Sequence, residues 1–341
     1  MTIIELLNAL KHNMPLKEVK GIAFRENGKV VINERRPLIN NIDSIPFPAY
    51  DLFPIEYYRL IRMPHSSSND FVMPILSGRG CTFECAFCYR MDEGFRPRSN
   101  AGIIAEIDFL RAKYDINYIA FYDELLMSSK ERTINLCQDF IKEKLNFKWN
   151  CNGRLNYASP DVLKIMKEAG CVFINYGIEA LDDEVLKNMN KALNTKQIIK
   201  GIEATLDIEI SPGLNIIFGN IGDSRETLNK AVDFLLKYDD GAQLRTIRPV
   251  TPYPGSPLYN YAIETGLLKD VEDFYEKKHI NSDLLSVNFT AMSDADFHRC
   301  LFDANKKLIE NYFHRRQKAV ISQAKKLYLD RDPSFRGFRQ T

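Results

Sequence analysis

From about residue 71, short and mostly continuous apolar runs alternate with segments of helical periodicity, and this alternation restricts the possible folds most. Six runs fit buried strands: FVMPIL (71–76), YIAFY (118–122), KWNCN (148–152), VFINYG (172–177), LNIIFG (214–219) and QLRTI (243–247). Runs of this kind are expected where a strand is buried on both faces. Strands separated by helices pair in parallel through right-handed crossovers. The sequence therefore predicts an α/β fold with a parallel sheet.

The number of units narrows this prediction. Six strand–helix units are too few for a closed eight-stranded barrel. Pro74 lies inside the first run and favours an edge strand, because proline cannot donate a hydrogen bond to a neighbour in the sheet. We therefore expect residues 71–255 to form a partial (β/α)6 TIM-type barrel with an open edge. Ligands should bind at the carboxyl ends of its strands.

Two further regions are predicted to flank the barrel. Residues 1–70 contain an amphipathic helix, a hairpin with its turn at Asn27–Gly28, and a Pro-rich linker (IPFPAYDLFP) that should lie extended over another surface. Residues 256–341 are predicted to be a C-terminal helical extension. Its tail from about residue 293 is basic, and we expect it to pack on the outside of the barrel.

The composition excludes several functional classes. A net charge of +1 over 341 residues argues against a dedicated nucleic-acid binder. No apolar run approaches the roughly 20 residues of a membrane span, and the N-terminus lacks the pattern of a signal peptide. A cytoplasmic location is therefore the expectation. Seven cysteines in such a chain are not expected to form a disulfide framework.

Three of these cysteines are crowded into RGCTFECAFCYR (79–90), in the loop that should follow the first barrel strand. Cys81, Cys85 and Cys88 have spacings that can hold a cuboidal iron–sulfur cluster, which four cysteines normally hold. With three, one iron keeps an open coordination position, as reactive metals do. Two alternatives stay open. The first is structural zinc, which would need a fourth ligand, and the nearest histidine, His65, lies sixteen residues before Cys81. The second is that the three cysteines are buried residues without a ligand role.

The cysteine spacing, with the aromatic Phe87 before the last cysteine, resembles the CxxxCxΦC signature of radical S-adenosylmethionine (SAM) enzymes. Further stretches resemble the branch related to cobalamin-binding members: FYDELL, NGRL, AGCVFINYGIEALDDEVLKNMNK and TPYPGSPLY. The resemblance covers most of residues 20–270. It implies a [4Fe–4S] cluster on Cys81, Cys85 and Cys88, SAM chelated at the open iron, and a partial (β/α)6 barrel.

The resemblance also assigns candidate SAM contacts at the ends of the second and third strands. Asp123 and Glu124 follow the second strand, and either carboxylate could bind the amino group of SAM by a charge-assisted hydrogen bond. Both are therefore candidates for catalytic and for cofactor-binding residues. Arg154 follows the third strand and could hold the carboxylate of SAM as a fork. For each residue, an ordinary acidic turn or surface ion pair is the alternative.

Later strands supply the remaining candidates. Glu179 at the end of the fourth strand is expected to contact the ribose or methionine part of SAM. Gly219 permits close approach of the backbone and would suit the adenine, while Phe87 could contribute through its backbone. Arg245 and Arg248, near the sixth strand, could bind a substrate phosphate or carboxylate, or could be structural.

Cobalamin itself is not predicted from this chain. The sequence has no Asp-x-His-x-x-Gly motif and no room before position 20 for a cobalamin-binding domain of some 100 residues. The domain is therefore expected to be lost, removed or supplied by a separate cobalamin-binding protein.

The function predicted from the resemblance is anaerobic radical chemistry. A flavodoxin or ferredoxin would reduce the cluster, and a 5′-deoxyadenosyl radical would abstract hydrogen from a small-molecule metabolite or natural-product substrate. The alternatives are cobalamin-dependent methylation or cyclisation with that domain supplied in trans, and a non-catalytic iron–sulfur or zinc protein.

Overall fold

The structure is a computed structural model that describes residues 1–61, 63, 65–91 and 94–332. The chain divides into a small unit, Met1–Ile45, and a large unit that begins at Pro46. The Pro-rich segment therefore belongs to the large unit, where Tyr50 is buried and donates a 2.7 Å hydrogen bond to Glu106. The domain boundaries predicted at residues 70 and 255 remain predictions.

The small unit contains helix α1 (Thr2–Lys11) and an antiparallel hairpin of β1 (Ala23–Glu26) and β2 (Lys29–Ile32). Both turn residues, Asn27 and Gly28, have positive φ angles of 50° and 78°. Such a turn matches the right-handed twist of the two strands. The predicted helix and hairpin are thus confirmed.

The large unit is built on a six-stranded parallel sheet with the order β10-β9-β8-β7-β6-β3. Its strands are β3 (Val72–Ile75), β6 (Tyr118–Phe121), β7 (Lys148–Gly153), β8 (Cys171–Glu179), β9 (Ser211–Phe218) and β10 (Arg248–Pro249). Pro74 lies in β3, an edge strand, as predicted. The predicted partial barrel is confirmed.

The sixth strand is the exception, because the prediction of residues 243–247 was wrong. The strand is only Arg248–Pro249, and it pairs with the end of β9. The backbone N–H and C=O of Ile247 are instead hydrogen-bonded by the side chain of Asn305, at 2.8 and 2.9 Å. A helix side chain thus satisfies backbone groups that a longer strand would have paired.

A second sheet of two antiparallel strands, β4 (Gly78–Cys81) and β5 (Gly94–Pro97), follows β3 directly. No sequence pattern had predicted it, because Gly-Arg-Gly-Cys lacks the β-branched and aromatic residues of typical strands. Its consequence is that Cys81 is the last residue of a paired strand, opposite Gly94.

The helices of the large unit are α2 (Ile55–Tyr58), α3 (Asn100–Tyr114), α4 (Lys130–Lys142), α5 (Pro160–Glu168), α6 (Asp183–Asn188), α7 (Thr195–Asp207), α8 (Arg225–Tyr238), α9 (Pro257–Glu264) and α10 (Asp294–Tyr328), with a π-helical turn at Asp273–Lys278. Outward-facing strand residues such as Phe121, Trp149 and Ile174 form the main core with these helices.

Among the described helices, none is long and apolar enough to cross a bilayer.

In the described part of the C-terminal extension, α9 and α10 confirm the predicted helices, and residues 333–341 of that prediction lie outside the described residues. Helix α10 packs over only part of its length. The buried residues of α10 are Phe297, Cys300, Leu301, Ala304 and Leu308. Phe297 stacks on Phe218 at the end of β9, with ring centroids 5.0 Å apart. The expectation that the basic tail packs on the barrel therefore holds for the first half of α10.

Candidate functional site

The cysteine loop crosses the carboxyl ends of the barrel strands and is held from two sides. The N–H of Ala86 donates to the carbonyl of Met189, just after α6, and its own carbonyl accepts from Leu258 in α9, both at 2.8 Å. The ring of Tyr89 lies so close to Gly255 that a Cβ there would come within 2.7 Å of it. The TPYPGSPLY stretch therefore anchors the cysteine loop. The close approach of Tyr89 explains why position 255 of this stretch is a glycine.

The loop bounds a pocket of about 290 Å³ at the mouth of the barrel. Its lining includes seven of the nine predicted site residues: Cys81, Cys85, Cys88, Phe87, Glu124, Arg154 and Glu179. Asp123 and Gly219 are not among the lining residues. The structure thus brings together predicted side chains from four separate segments of the sequence.

Positive charge is concentrated around Cys85. Arg154 points its Nη1 at the Cys85 sulfur, 3.5 Å away. The hydrogen bond from the Cys88 thiol, followed by the charges of Lys191 and Arg154, lowers the pKa of Cys85. The same hydrogen bond, together with burial, raises the pKa of Cys88. These neighbours therefore favour thiolate, the form that ligates metals, at Cys85.

Lys191 is a buried charged residue of the pocket that was not predicted from the sequence. It is only 4% exposed, and its Nζ lies 3.0 Å from Oε1 of Glu179. Its Nζ is also 5.7 Å from the centroid of the Phe87 ring, within reach of a cation–π contact. The signal that could have identified Lys191 was its position as the last residue of the AGCVFINYGIEALDDEVLKNMNK stretch. It was overlooked because a lysine at the end of a predicted helix is usually exposed.

Glu179 reaches the pocket through an irregularity of its strand. The register between β8 and β9 shifts between Gly177 and Glu179, and Glu179 has a φ of 70°. Bulges of this kind re-aim a side chain at the end of a strand. The carboxylate therefore enters the pocket, where Lys191 compensates its charge.

Arg154 already has several partners within the chain. Its Nη2 donates to the carbonyl of Lys191, and its Nε donates to Asn156 at 3.2 Å. The guanidinium carbon lies 3.5 Å from the centroid of the Phe83 ring. These contacts hold the cation beside Cys85. The predicted contact of Arg154 with the carboxylate of SAM stays a prediction.

The two carboxylates after β6 have different surroundings. Glu124 lines the pocket and accepts a 2.9 Å hydrogen bond from the N–H of Gly80 in β4. Asp123 is 1% exposed, and its Oδ1 accepts from the N–H groups of Ser77 and Gly78, both at 2.6 Å. Burial raises the pKa of Asp123 to about 6, and its Oδ2 has no hydrogen-bond partner. Asp123 thus fixes the turn into β4, and Glu124 is the carboxylate at the pocket.

Gly219 faces a helix. It has a φ of 97°, and its N–H donates to Asp223 at 2.9 Å. A Cβ at this position would lie 2.7 Å from the ring of Phe297 in α10. The observed reason for glycine is therefore close packing of the chain, and its predicted contact with adenine remains untested.

A second cavity of about 430 Å³ lies inside the barrel and shares Asn152, Asn175 and Asn215 with the cysteine pocket. These asparagines form a ladder across β7, β8 and β9. Asn175 donates to Asn152 at 3.0 Å, and Asn215 donates to Asn175 at 2.7 Å. The ladder therefore places amide groups along the boundary between the two spaces.

The two arginines predicted to bind substrate anions also line this second cavity. Arg245 is buried and held by the Pro212 carbonyl at 2.9 Å and by Asp239 at 3.3 Å. Arg248 is exposed and pairs with Asp283 at 3.0 Å. Both arginines thus have partners within the chain, and anion binding by either of them stays a prediction.

The donor set suits a cluster better than a single metal ion. Across the described ranges, no three His, Cys, Asp or Glu side chains are close enough to hold one metal ion. A cuboidal cluster takes one thiolate per iron, so its ligands need not converge on one point. Three thiols beside Arg154 and Lys191 therefore fit an anionic cluster with one iron left open.

Comparison with protein families gives a match to the Radical SAM superfamily over residues 75–235. The chain contains a radical SAM domain. This family uses a [4Fe–4S] cluster and SAM as its cofactors. The match spans β3 to α8 and includes the cysteine loop and most of the pocket.

Curated relatives are longer than this chain. An uncharacterized methyltransferase of Pyrococcus horikoshii is 32% identical over 298 residues, which are 84% of this chain and 63% of the relative. An anaerobic magnesium-protoporphyrin IX monomethyl ester cyclase of Rubrivivax gelatinosus is 28% identical over 261 residues, or 75% of this chain and 45% of the relative. The chain thus spans about half to two thirds of these proteins.

Solved structures of radical SAM enzymes share the fold. The cobalamin-dependent enzyme OxsB, with aqua-cobalamin and SAM bound, superposes with a TM-score of 0.68 at 18% identity, over 87% of this chain and 48% of that one. The methyltransferase TsrM from Kitasatospora setae gives 0.62 at 16% identity, over 77% and 52%. At these identities, the similarity establishes the architecture of the radical SAM domain.

Proposed function

We propose that this chain is a radical SAM enzyme that abstracts a hydrogen atom from a small-molecule substrate. When bound, the reduced [4Fe–4S] cluster supplies the electron that cleaves SAM to methionine and a 5′-deoxyadenosyl radical. The observation that carries the proposal is the pocket itself. It joins three cysteines to buried Arg154 and Lys191, and it continues into a separate cavity inside the barrel.

The residues of the pocket have distinct roles in this proposal. Cys81, Cys85 and Cys88 hold three irons, and the charges of Arg154 and Lys191 offset the negative charge of the ligated cluster. Glu124 is placed to accept hydrogen bonds from the amino group of SAM, since the neighbouring Gly80 N–H uses only one of its lone pairs.

Water must be kept away from a radical. Phe83 and Phe87 supply apolar surface at the pocket wall, and Phe83 also covers the Arg154 guanidinium. These rings therefore protect the reacting centre from solvent on the side of the cysteine loop.

The substrate is proposed to bind in the cavity inside the barrel. Asn152, Asn175 and Asn215 border both spaces, so a molecule held there lies next to the SAM pocket. Their amide groups suit hydrogen-bonding substrates, and holding the reactants in contact lowers the barrier of a step between them. A flavodoxin or ferredoxin is the proposed electron donor.

The test is anaerobic reconstitution with iron and sulfide, followed by addition of SAM and dithionite. We expect 5′-deoxyadenosine and methionine in equal amounts, and none from the Cys88→Ala variant. Cys300→Ala is the matched control, because Cys300 is buried in α10. Intact cluster and reductant without SAM cleavage would contradict the proposal and favour a non-catalytic iron–sulfur protein.

A second candidate function is cobalamin-dependent methylation or cyclisation. Its support is that the relatives above are named as a methyltransferase and a cyclase, and that OxsB is named as a cobalamin-dependent enzyme. Here a separate cobalamin-binding protein would supply the cofactor. Reconstituted protein would then transfer a labelled methyl group only with methylcobalamin or its carrier present, whereas SAM cleavage independent of cobalamin supports the leading proposal.

A further inference from the structure

The second half of α10 is a helix without a packed face. Its last buried residue is Leu308, twenty positions before the helix ends at Tyr328. Among the described residues, Arg315 is the last of this helix with a hydrogen bond to the barrel, since its Nη1 donates to the Asp239 carbonyl at 2.6 Å. Most helical stability comes from burying one face, so the segment after Arg315 has a surface that is available for another partner.

This segment has one apolar face. At about 100° per residue, an arc of about 120° contains Gln317 and six apolar side chains. The six are Phe313, Val320, Ile321, Ala324, Leu327 and Tyr328. Phe313 and Ile321 are each 59% exposed, and Tyr328 is 69% exposed. The apolar stripe is therefore exposed at Phe313, Val320, Ile321 and Tyr328, whereas Ala324 and Leu327 are half-buried.

Positive charge borders the stripe on both sides. Lys318 and Lys325 lie beyond one edge and Arg316 lies beyond the other, and the sequence has no Asp or Glu from Asn311 to Leu329. This arrangement is typical of helices that lie in the interface of an anionic bilayer, where apolar residues enter the acyl boundary and cations meet headgroups.

Other partners fit this face less well. A second copy of the helix would bring the flanking lysines and arginines of both chains together, and like charges repel. A nucleic acid would bind the cations but would leave the apolar stripe in water. An anionic lipid surface satisfies both features at once.

We propose that residues 313–329 bind the surface of a membrane that contains anionic lipids and hold the radical SAM domain next to it. The helix lies in the plane of the interface. The binding is peripheral and reversible, and it requires no change in the barrel.

The test uses the full-length chain and flotation with vesicles of phosphatidylcholine, with or without phosphatidylglycerol. We expect at least about tenfold more protein on the anionic vesicles, and less as salt rises. The double variants Lys318→Glu/Lys325→Glu and Phe313→Ser/Val320→Ser should each lose most of this binding. Circular dichroism would show that these surface variants are folded.

Matched controls are Lys200→Glu on α7 and Ile280→Ser, whose side chains are exposed elsewhere. Both should bind vesicles as the unmodified chain does. Equal binding to neutral vesicles, no binding to either kind, equal losses in the controls, or self-association through this helix in light scattering would each overturn the proposal.

Discussion

The large unit contains two groups of three cysteines in opposite surroundings. The pocket cysteines are Cys81, Cys85 and Cys88, and the core cysteines are Cys137, Cys151 and Cys171. Arg154 and Lys191 adjoin the pocket group, where the pKa of Cys85 is lowered. Burial among apolar side chains raises the pKa of Cys137 and Cys151. The hydrogen bond from Cys88 and the charges of Lys191 and Arg154 thus outweigh burial at Cys85, whereas burial dominates at Cys137 and Cys151.

The largest expected effect is loss of the cluster from the pocket group. Replacing any one pocket cysteine by alanine should reduce bound iron and sulfide, after anaerobic reconstitution, to the background of chain without added sulfide. The Cys137→Ala variant should keep the iron content of the unmodified protein. Equal iron loss in both groups would mean that the cluster depends on the fold as a whole, and the comparison would fail.

A second prediction concerns Lys191, a cation that the pocket cysteines have beside them and the core cysteines lack. Lys191→Met should destabilise the protein by about 3–5 kcal/mol, because the buried Glu179 carboxylate loses its partner. It should also raise the pKa of Cys85, which can be followed by the pH dependence of alkylation in the cluster-free chain.

The double variant Lys191→Met/Glu179→Gln separates these two effects. It should recover most of the stability in urea unfolding, since no buried carboxylate is left unpaired. The higher pKa of Cys85 should persist. Recovery of the original pKa would show that Lys191 acts on the thiol only through folding.

Asp123 is a buried acid near the pocket, and burial raises its pKa as it raises the pKa of the core thiols. Its folded pKa of about 6 lies above the usual value of 3.8, so the folded state binds more protons between these limits. Its contribution to stability is therefore greatest below about pH 4 and is lost as pH rises through 6. Relative to Asp123→Asn, the unmodified chain should lose roughly 2.5 kcal/mol of unfolding free energy between pH 4 and 7.5. Parallel pH profiles for the two proteins would refute this account.

The smallest expected effect concerns the core group. Cys151→Ser places a hydroxyl where a fully buried thiol packs, and it should cost about 1–3 kcal/mol of unfolding free energy. Iron content per folded molecule should not change. A lower iron content at unchanged stability would indicate that Cys151 takes part in the site.

Much of this fold was predictable because its signals are local. Continuous apolar runs and helical periodicity predicted five strands and the main helices, and Pro74 predicted the edge. The sixth strand and the β4–β5 hairpin were not predictable in this way. Asn305 satisfies the backbone of Ile247 from 58 residues away, and the glycine-rich β4 has no strand propensity of its own.

The site shows the same division. Cysteine spacing and strand ends predicted residues that the structure places around one pocket, among them Glu124, Arg154 and Glu179, while their roles as ligands or SAM contacts stay predictions. Sequence could not separate Glu124 from its neighbour Asp123, because the choice depends on which side chain points at the Ser77–Gly78 backbone. Lys191 escaped notice because its role depends on a partner, Glu179, that a bulge turns toward it.

The central claim is that three cysteines hold a four-iron cluster with one iron open to SAM. Mössbauer spectroscopy of iron-57-labelled, reconstituted protein tests it directly, before and after addition of SAM. We predict that the signal of about one quarter of the iron changes when SAM is added and that the rest does not. A spectrum unaffected by SAM, or a preparation that contains tetrahedral zinc in place of the cluster, would contradict the claim.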